Sequence, residues 1–148
     1  MAKLWWPVLS LFVLSMPMAA STFEHKVVAA VLMAEAWSDG KHGMLAVGEV
    51  IRERARLRKR TPLEVVTERR AFSCLNRTTP RALVAKFESL ADFAWALDTA
   101  RTVVDHPGRL PGIARGATHF VRRGHPARWT RGQRPVLTTR HHVFYALK

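Results

Sequence analysis

The chain is poor in cysteine and in acidic residues, and each shortage closes a class of function. Cys74 is the one cysteine among 148 residues, which rules out an intramolecular disulfide and a cysteine-built zinc site. Its expected place is that of an unpaired buried thiol. Asp and Glu number 11 against 24 Lys and Arg, a formal charge of +13. Such a surface prefers polyanions, whether nucleic acid, anionic lipid or an anionic cell-envelope polymer. The arginine-rich stretches 52–60 and 122–140 come without a helix-turn-helix, a zinc finger or an aromatic-interleaved RNA motif. No specific nucleic-acid binding is therefore read from them. Seven histidines are present, with His119, His125, His141 and His142 close to the C-terminus. They form no His-Glu-x-x-His pattern and match no zinc-ligand spacing, so neither a metal nor a cofactor is expected. Repeats and interdomain linkers are also missing, and residues 21–148 are expected to form one domain.

Long apolar runs are scarce. The main one, residues 4–14 (LWWPVLSLFVL), follows Lys3 and precedes the small residues of 15–20, SMPMAA. That order of short positive, apolar and small-residue segments is an export signal, cleaved near Ala20 or left as an uncleaved anchor. The run is short and Pro-interrupted for a transmembrane helix. The expected location is the periplasm or the cell exterior, with membrane contact only through an uncleaved signal.

The stretch that organises the remainder is 27–40, VVAAVLMAEAWSDG. Val27, Val31 and Glu35 fall at i, i+4 and i+8, one stripe of an α-helix that ends in a carboxylate. Burial of an acid on an apolar stripe favours its neutral form, and an acid that keeps its proton near neutral pH can act as a general acid. A solvated helix glutamate is the competing reading of the same residue. Gly40 is a candidate C′ residue of this helix. After Gly43 a second helix is expected along Met44, Val47, Ile51 and Ala55, its arginine-rich end solvated. Thr61-Pro62 would cap a short third helix over 63–68. Residues 71–80 read as an anchored loop, and 81–104 as helix in two pieces around Ser89. Residues 116–121 read as a strand, and 136–147 as β-rich sequence able to pair back as a hairpin. The fold class is thus mainly α (α+β), with a small β-hairpin element near the C-terminus.

The order of several short motifs then resembles a known family. Ala34-Glu35-Ala36 is followed by Asp39-Gly40, by 45–54 (LAVGEVIRER), and by Phe72-Ser73-Cys74 and Ala94-Trp95. Gly116 to Phe120 (GATHF), Pro126 to Trp129 (PARW) and His142 to Tyr145 (HVFY) complete the series. Over residues 28–147 the chain resembles the cell-wall hydrolases of the spore-cortex-lytic enzyme type (SleB/CwlJ-like). Trp37-Ser38 stands where Arg-Gly is common in that family, Arg52-Glu53-Arg54 where Asn-Arg is usual, and Phe120 where Tyr is frequent.

The resemblance implies a lysozyme-like, mainly helical fold acting on peptidoglycan glycan strands, with Glu35 as the catalytic acid. It further implies lytic transglycosylase chemistry, which needs one carboxyl and no water nucleophile, unlike two-carboxylate glycosidases. Ser73, Thr118, His119, Trp129 and Tyr145 are the candidates for substrate binding. Thr118-His119 is the motif that the family places beside its cleft. Phe72 is read chiefly as core. Asp39 and Glu49 are the available second acids. Asp39 reads equally as a turn cap, and Glu49 as a solvated or ion-paired helix residue. A catalytically inactive basic protein that binds peptidoglycan or another polyanion is the other reading these residues allow.

Overall fold

Helix α1, Phe23–Ala36, is the axis of the protein. In the computed structural model, which describes residues 21–147, Val27 through Met33 are all essentially inaccessible to solvent. The expected apolar stripe is in fact apolar on every side, the pattern of a helix enclosed by others. α1 begins in a capping box: Thr22 Oγ1 accepts the His25 N–H and His25 Nδ1 accepts the Thr22 N–H. Such reciprocal bonds satisfy donors that an open helix end leaves unpaired.

Around α1 stand α2 (Gly40–Arg58), α3 (Pro62–Thr67), α4 (Pro80–Phe87) and α5 (Phe93–Asp105). All four pack against it. α3 and α4 each start with proline in the first turn behind a capping threonine, Thr61 and Thr79, a position where the missing proline N–H costs nothing. β1 (His119–Arg122), β2 (Leu137–Thr138) and β3 (His142–Tyr145) form an antiparallel sheet in the order β1-β3-β2. The β2–β3 hairpin therefore gains a third strand from the 116–121 segment. Phe144, fully buried, carries the sheet into the helical core.

The α1–α2 junction is tighter than the sequence implies. A single 3₁₀ turn, Trp37–Asp39, separates the two helices, and Gly40 lies at the corner with φ +62°. A left-handed backbone is cheap only for glycine. Gly43 falls inside α2 instead of ending the turn. A Cβ there would lie 2.1 Å from Asp39 Cβ, so its absence lets the corner close over Asp39. The export signal expected over residues 1–20 lies outside the described residues. Among the described residues no helix is long and apolar enough to cross a membrane.

Candidate active site

Glu35 sits in the last turn of α1, half-buried, where the helix leaves the core. The loop 71–79 and α4 face it across a cavity of about 560 Å³, within the usual range of ligand sites. Ser73, Cys74, Asn76, Arg77 and Lys86 share its wall, and Glu35 is the one carboxylate among its lining residues. Ser73 is exposed at the start of the 3₁₀ turn Ser73–Leu75. The Cys74 N–H reaches Glu35 Oε1 at 3.4 Å. Cys74, expected as an unpaired buried thiol, is unpaired and half-buried, packed against the core and lining the cavity wall. Burial, then the charge of Glu35 and a hydrogen bond to it, push the thiol far above its ordinary range. It stays protonated, serves as a donor beside the acid, and is a poor nucleophile.

The two other candidate acids are occupied. The Asp39 side chain is 1% exposed. It accepts from Thr139 Oγ1 at 2.7 Å and the His141 N–H at 2.8 Å, and meets His142 Nδ1 at 2.6 Å. It makes no cap bond to α2. Its work is to tie the α1–α2 corner to the β2–β3 hairpin. His142, one of the crowded C-terminal histidines, is drawn into the interior by this contact. Burial pushes the Asp39 carboxyl up, but the bonds from Thr139, His142 and His141 outweigh it and hold the group below the usual carboxylate range.

A carboxyl depressed in the folded state adds stability that is complete above the unfolded value near 3.8. That stability is lost as pH falls through the folded value. Thermal melts from pH 6 down to 2.5 are expected to show the wild type losing ground to Asp39→Asn below about pH 4. Parallel curves would contradict this assignment.

Glu49, read from sequence as solvated or ion-paired, is neither. It is 2% exposed and its oxygens accept the N–H groups of Gly112, Ile113 and Ala114 at 2.6, 3.0 and 2.6 Å. Consecutive backbone amides converging on one anion form a nest. With three donors on it, Glu49 is a clamp on the segment leading from α5 into β1.

The remaining predicted residues gather on the sheet. Thr118 is buried, its hydroxyl 2.9 Å from His119 Nδ1 and accepting the Leu147 N–H. His119, Trp129 and Tyr145 form a chain of edge-on rings with centroids 5.3 Å apart at each step. Tyr145 is nearly buried and backs Trp129. Burial, then the charges of Arg54 and Arg58, push the His119 imidazole below its usual range, so it is neutral at pH 7.

Ser73 therefore shares the Glu35 cavity, while Thr118, His119, Trp129 and Tyr145 make a second cluster. Arg54 links the two. Its Nε donates to the Thr118 carbonyl at 2.7 Å and Nη1 to the Ala71 carbonyl at 3.4 Å, and the guanidinium lies over buried Phe72 at 5.1 Å. Burial and the charge of Arg58 pull the Arg54 group down, while the carboxylates of Glu68 and Glu35 act the other way. Arg54 is thus within electrostatic reach of Glu35. Sequence reasoning placed it on a solvated helix end. Its i+3 spacing from Ile51, on the buried face, is the signal that could have found it.

A mainly helical α+β protein with one acid opening into a polar cavity has the minimum equipment of a glycan-cleaving site. The chain belongs to the Cell Wall Hydrolase family, whose model matches residues 38–145. It is a cell-wall hydrolase acting on peptidoglycan. The match includes Asp39, Glu49, Ser73 and the sheet cluster, and begins three residues after Glu35. No curated protein and no solved structure matches the chain.

Proposed function

We propose that the protein is an exported lytic transglycosylase that cuts peptidoglycan glycan strands with Glu35 as its one acid/base. The observation that carries this reading is the division of labour among three carboxylates. Asp39 and Glu49 each have their oxygens filled by three donors, whereas Glu35 faces an open cavity. Single-carboxylate chemistry uses such a group twice. The Glu35 carboxyl gives its proton to the bridging oxygen as the bond from the anomeric carbon to that oxygen breaks. The resulting carboxylate then takes the proton of the sugar's own 6-hydroxyl, whose oxygen bonds the anomeric carbon. The product is a 1,6-anhydro ring, with no water consumed. Inverting hydrolysis would need a second carboxylate about 6.5–9.5 Å away to activate water, and a retaining enzyme one at about 5–5.5 Å as nucleophile.

Ser73 and Asn76 offer hydrogen bonds along the cavity wall, and Trp129 offers an apolar ring face to a pyranose. Arg77 and Lys86 give the same cavity a positive lining suited to an anionic wall polymer. Mass spectrometry of purified peptidoglycan after digestion tests the reading. Fragments ending in 1,6-anhydromuramic acid are expected. Reducing-end muramic acid would make the protein a hydrolase that recruits a water-activating base. Wall binding without any fragments would leave an inactive binding protein. Export is tested separately by N-terminal sequencing of protein from the cell envelope, with a start near residue 21 expected.

A further inference from the structure

The end of the molecule opposite Glu35 carries a second cavity, of about 410 Å³. Leu63 N–H donates to Glu24 in the first turn of α1, and the neighbouring Pro62 lines this cavity. The run of α1 from Glu24 to Glu35 thus places it about 17 Å from the acid. Its floor is apolar, built in part from Val103, Val104 and Pro107. Its rim is cationic: Arg52 and Arg56 lie one turn apart on α2, and Arg60 just past the helix end.

Two carboxylates serve this rim, Glu53 on Arg52 and Arg56, and Glu64, which feels the charge of Arg60. Glu53 holds Arg56 through two bonds of 3.1 and 2.7 Å and approaches Arg52 at 3.9 Å. Three guanidinium groups against two acids still leave a positive excess, and Glu64 is fully solvated. The buried Nε of Arg52 also lacks a hydrogen-bond partner among the described residues. An apolar floor beneath guanidinium groups fits a molecule with an oxyanion at one end and hydrocarbon next to it. Guanidinium forks match phosphate oxygens, and the valines would cover the adjoining methylenes.

The start of the described chain is at the same end. Ser21 Oγ accepts from Arg101 Nη2 at 2.7 Å, and His25 Nε2 approaches Asp105 at 2.9 Å. Both α5 partners lie within three residues of Val104. The apolar run 4–14, which precedes Ser21 in sequence, is the rival occupant of the groove. Its neighbourhood in sequence holds only Lys3, of the same sign as the rim, so it would leave the arginines unmatched. A lipid phosphate matches them.

We propose that this groove takes the phosphate headgroup and first acyl methylenes of an anionic phospholipid, seating the protein on a membrane by the end opposite its catalytic cavity. The test uses the full chain, so that residues 1–20 are the same in every sample. Co-sedimentation at 0.15 M salt compares vesicles of phosphatidylglycerol in phosphatidylcholine with vesicles of phosphatidylcholine alone. A triple variant, Arg52→Gln, Arg56→Gln and Arg60→Gln, is set beside a charge-matched control, Arg122→Gln, Arg131→Gln and Arg134→Gln. The groove variant is expected to lose affinity for the anionic vesicles about tenfold more than the control. Equal losses would mean diffuse charge attraction and overturn the site.

Removing Arg52 and Arg56 also strands Glu53, so Arg60→Glu, which keeps both Glu53 partners, serves as a second variant. Soluble dihexanoylphosphatidylglycerol is expected to bind saturably to the wild type, and about tenfold more weakly to Arg60→Glu. Binding unaffected by Arg60→Glu, or inorganic phosphate binding as tightly as the lipid, would overturn the proposal.

Discussion

Glu35→Gln is expected to lower the rate of peptidoglycan cleavage by about 10²–10⁴-fold while leaving the melting temperature within a few degrees of wild type. Glutamine keeps the shape of the side chain, and its carbonyl oxygen still accepts the Cys74 N–H. What is lost is the transferable proton and the charge of the ionised form, which is felt by Cys74 and Arg54. The change is made at the end of α1, where the side chain is half-exposed and forms no salt bridge among the described residues. A loss of activity therefore cannot be assigned to unfolding if the thermal melts superimpose. The size of the loss carries information as well. A residual rate within tenfold of wild type would show that some other group delivers the proton, and would sink the one-carboxylate mechanism. Binding of the variant to insoluble peptidoglycan should persist, since Ser73, Asn76 and Trp129 are untouched.

The helices were readable from sequence because each has a local cause. Pro62 and Pro80 sit behind threonine caps, and Val27, Val31, Met44 and Ile51 recur at helical spacing and are buried. The sheet was half-readable. The alternation around 136–147 marks a hairpin, but the pairing of His119 with Tyr145 joins residues 26 positions apart, and no local pattern encodes such a contact. The same limit explains the acids. Asp39 and Glu49 look alike in sequence to many surface carboxylates, because their partners lie 100 and 63 positions away. What decides their roles is which donors the fold delivers to them. The position of Glu35 was legible, because the buried stripe ends there as the helix leaves the core and the side chain opens into the cavity.

Glu49→Ala should cost about 3–5 kcal/mol of folding free energy, as much as truncating a large core side chain. Three backbone N–H groups, those of Gly112, Ile113 and Ala114, give up their acceptor at once. Water can reach the first two, which are half-exposed, but Ala114 is fully buried. Its N–H would remain unpaired, and the removed carboxylate would leave a cavity beside it. Against a typical total of about 5–15 kcal/mol this is a large fraction. It should show as a fall in the urea midpoint of about 1–3 M.

Glu49→Gln separates charge from shape. Its carbonyl can still accept from Gly112 and Ile113, but its NH₂ would face the Ala114 N–H, donor against donor, so the loss is expected to be intermediate. Stability unchanged in Glu49→Gln would mean that the segment 112–114 is held by packing alone. The damage should also travel. The clamped segment leads into Ala117 and Thr118, and Thr118 supplies the carbonyl that holds Arg54 and the hydroxyl beside His119. Glu49 variants should therefore lose activity in step with stability and regain it on cooling, whereas Glu35→Gln should stay inactive at every temperature. That contrast would distinguish a glutamate that builds the site from one that works in it.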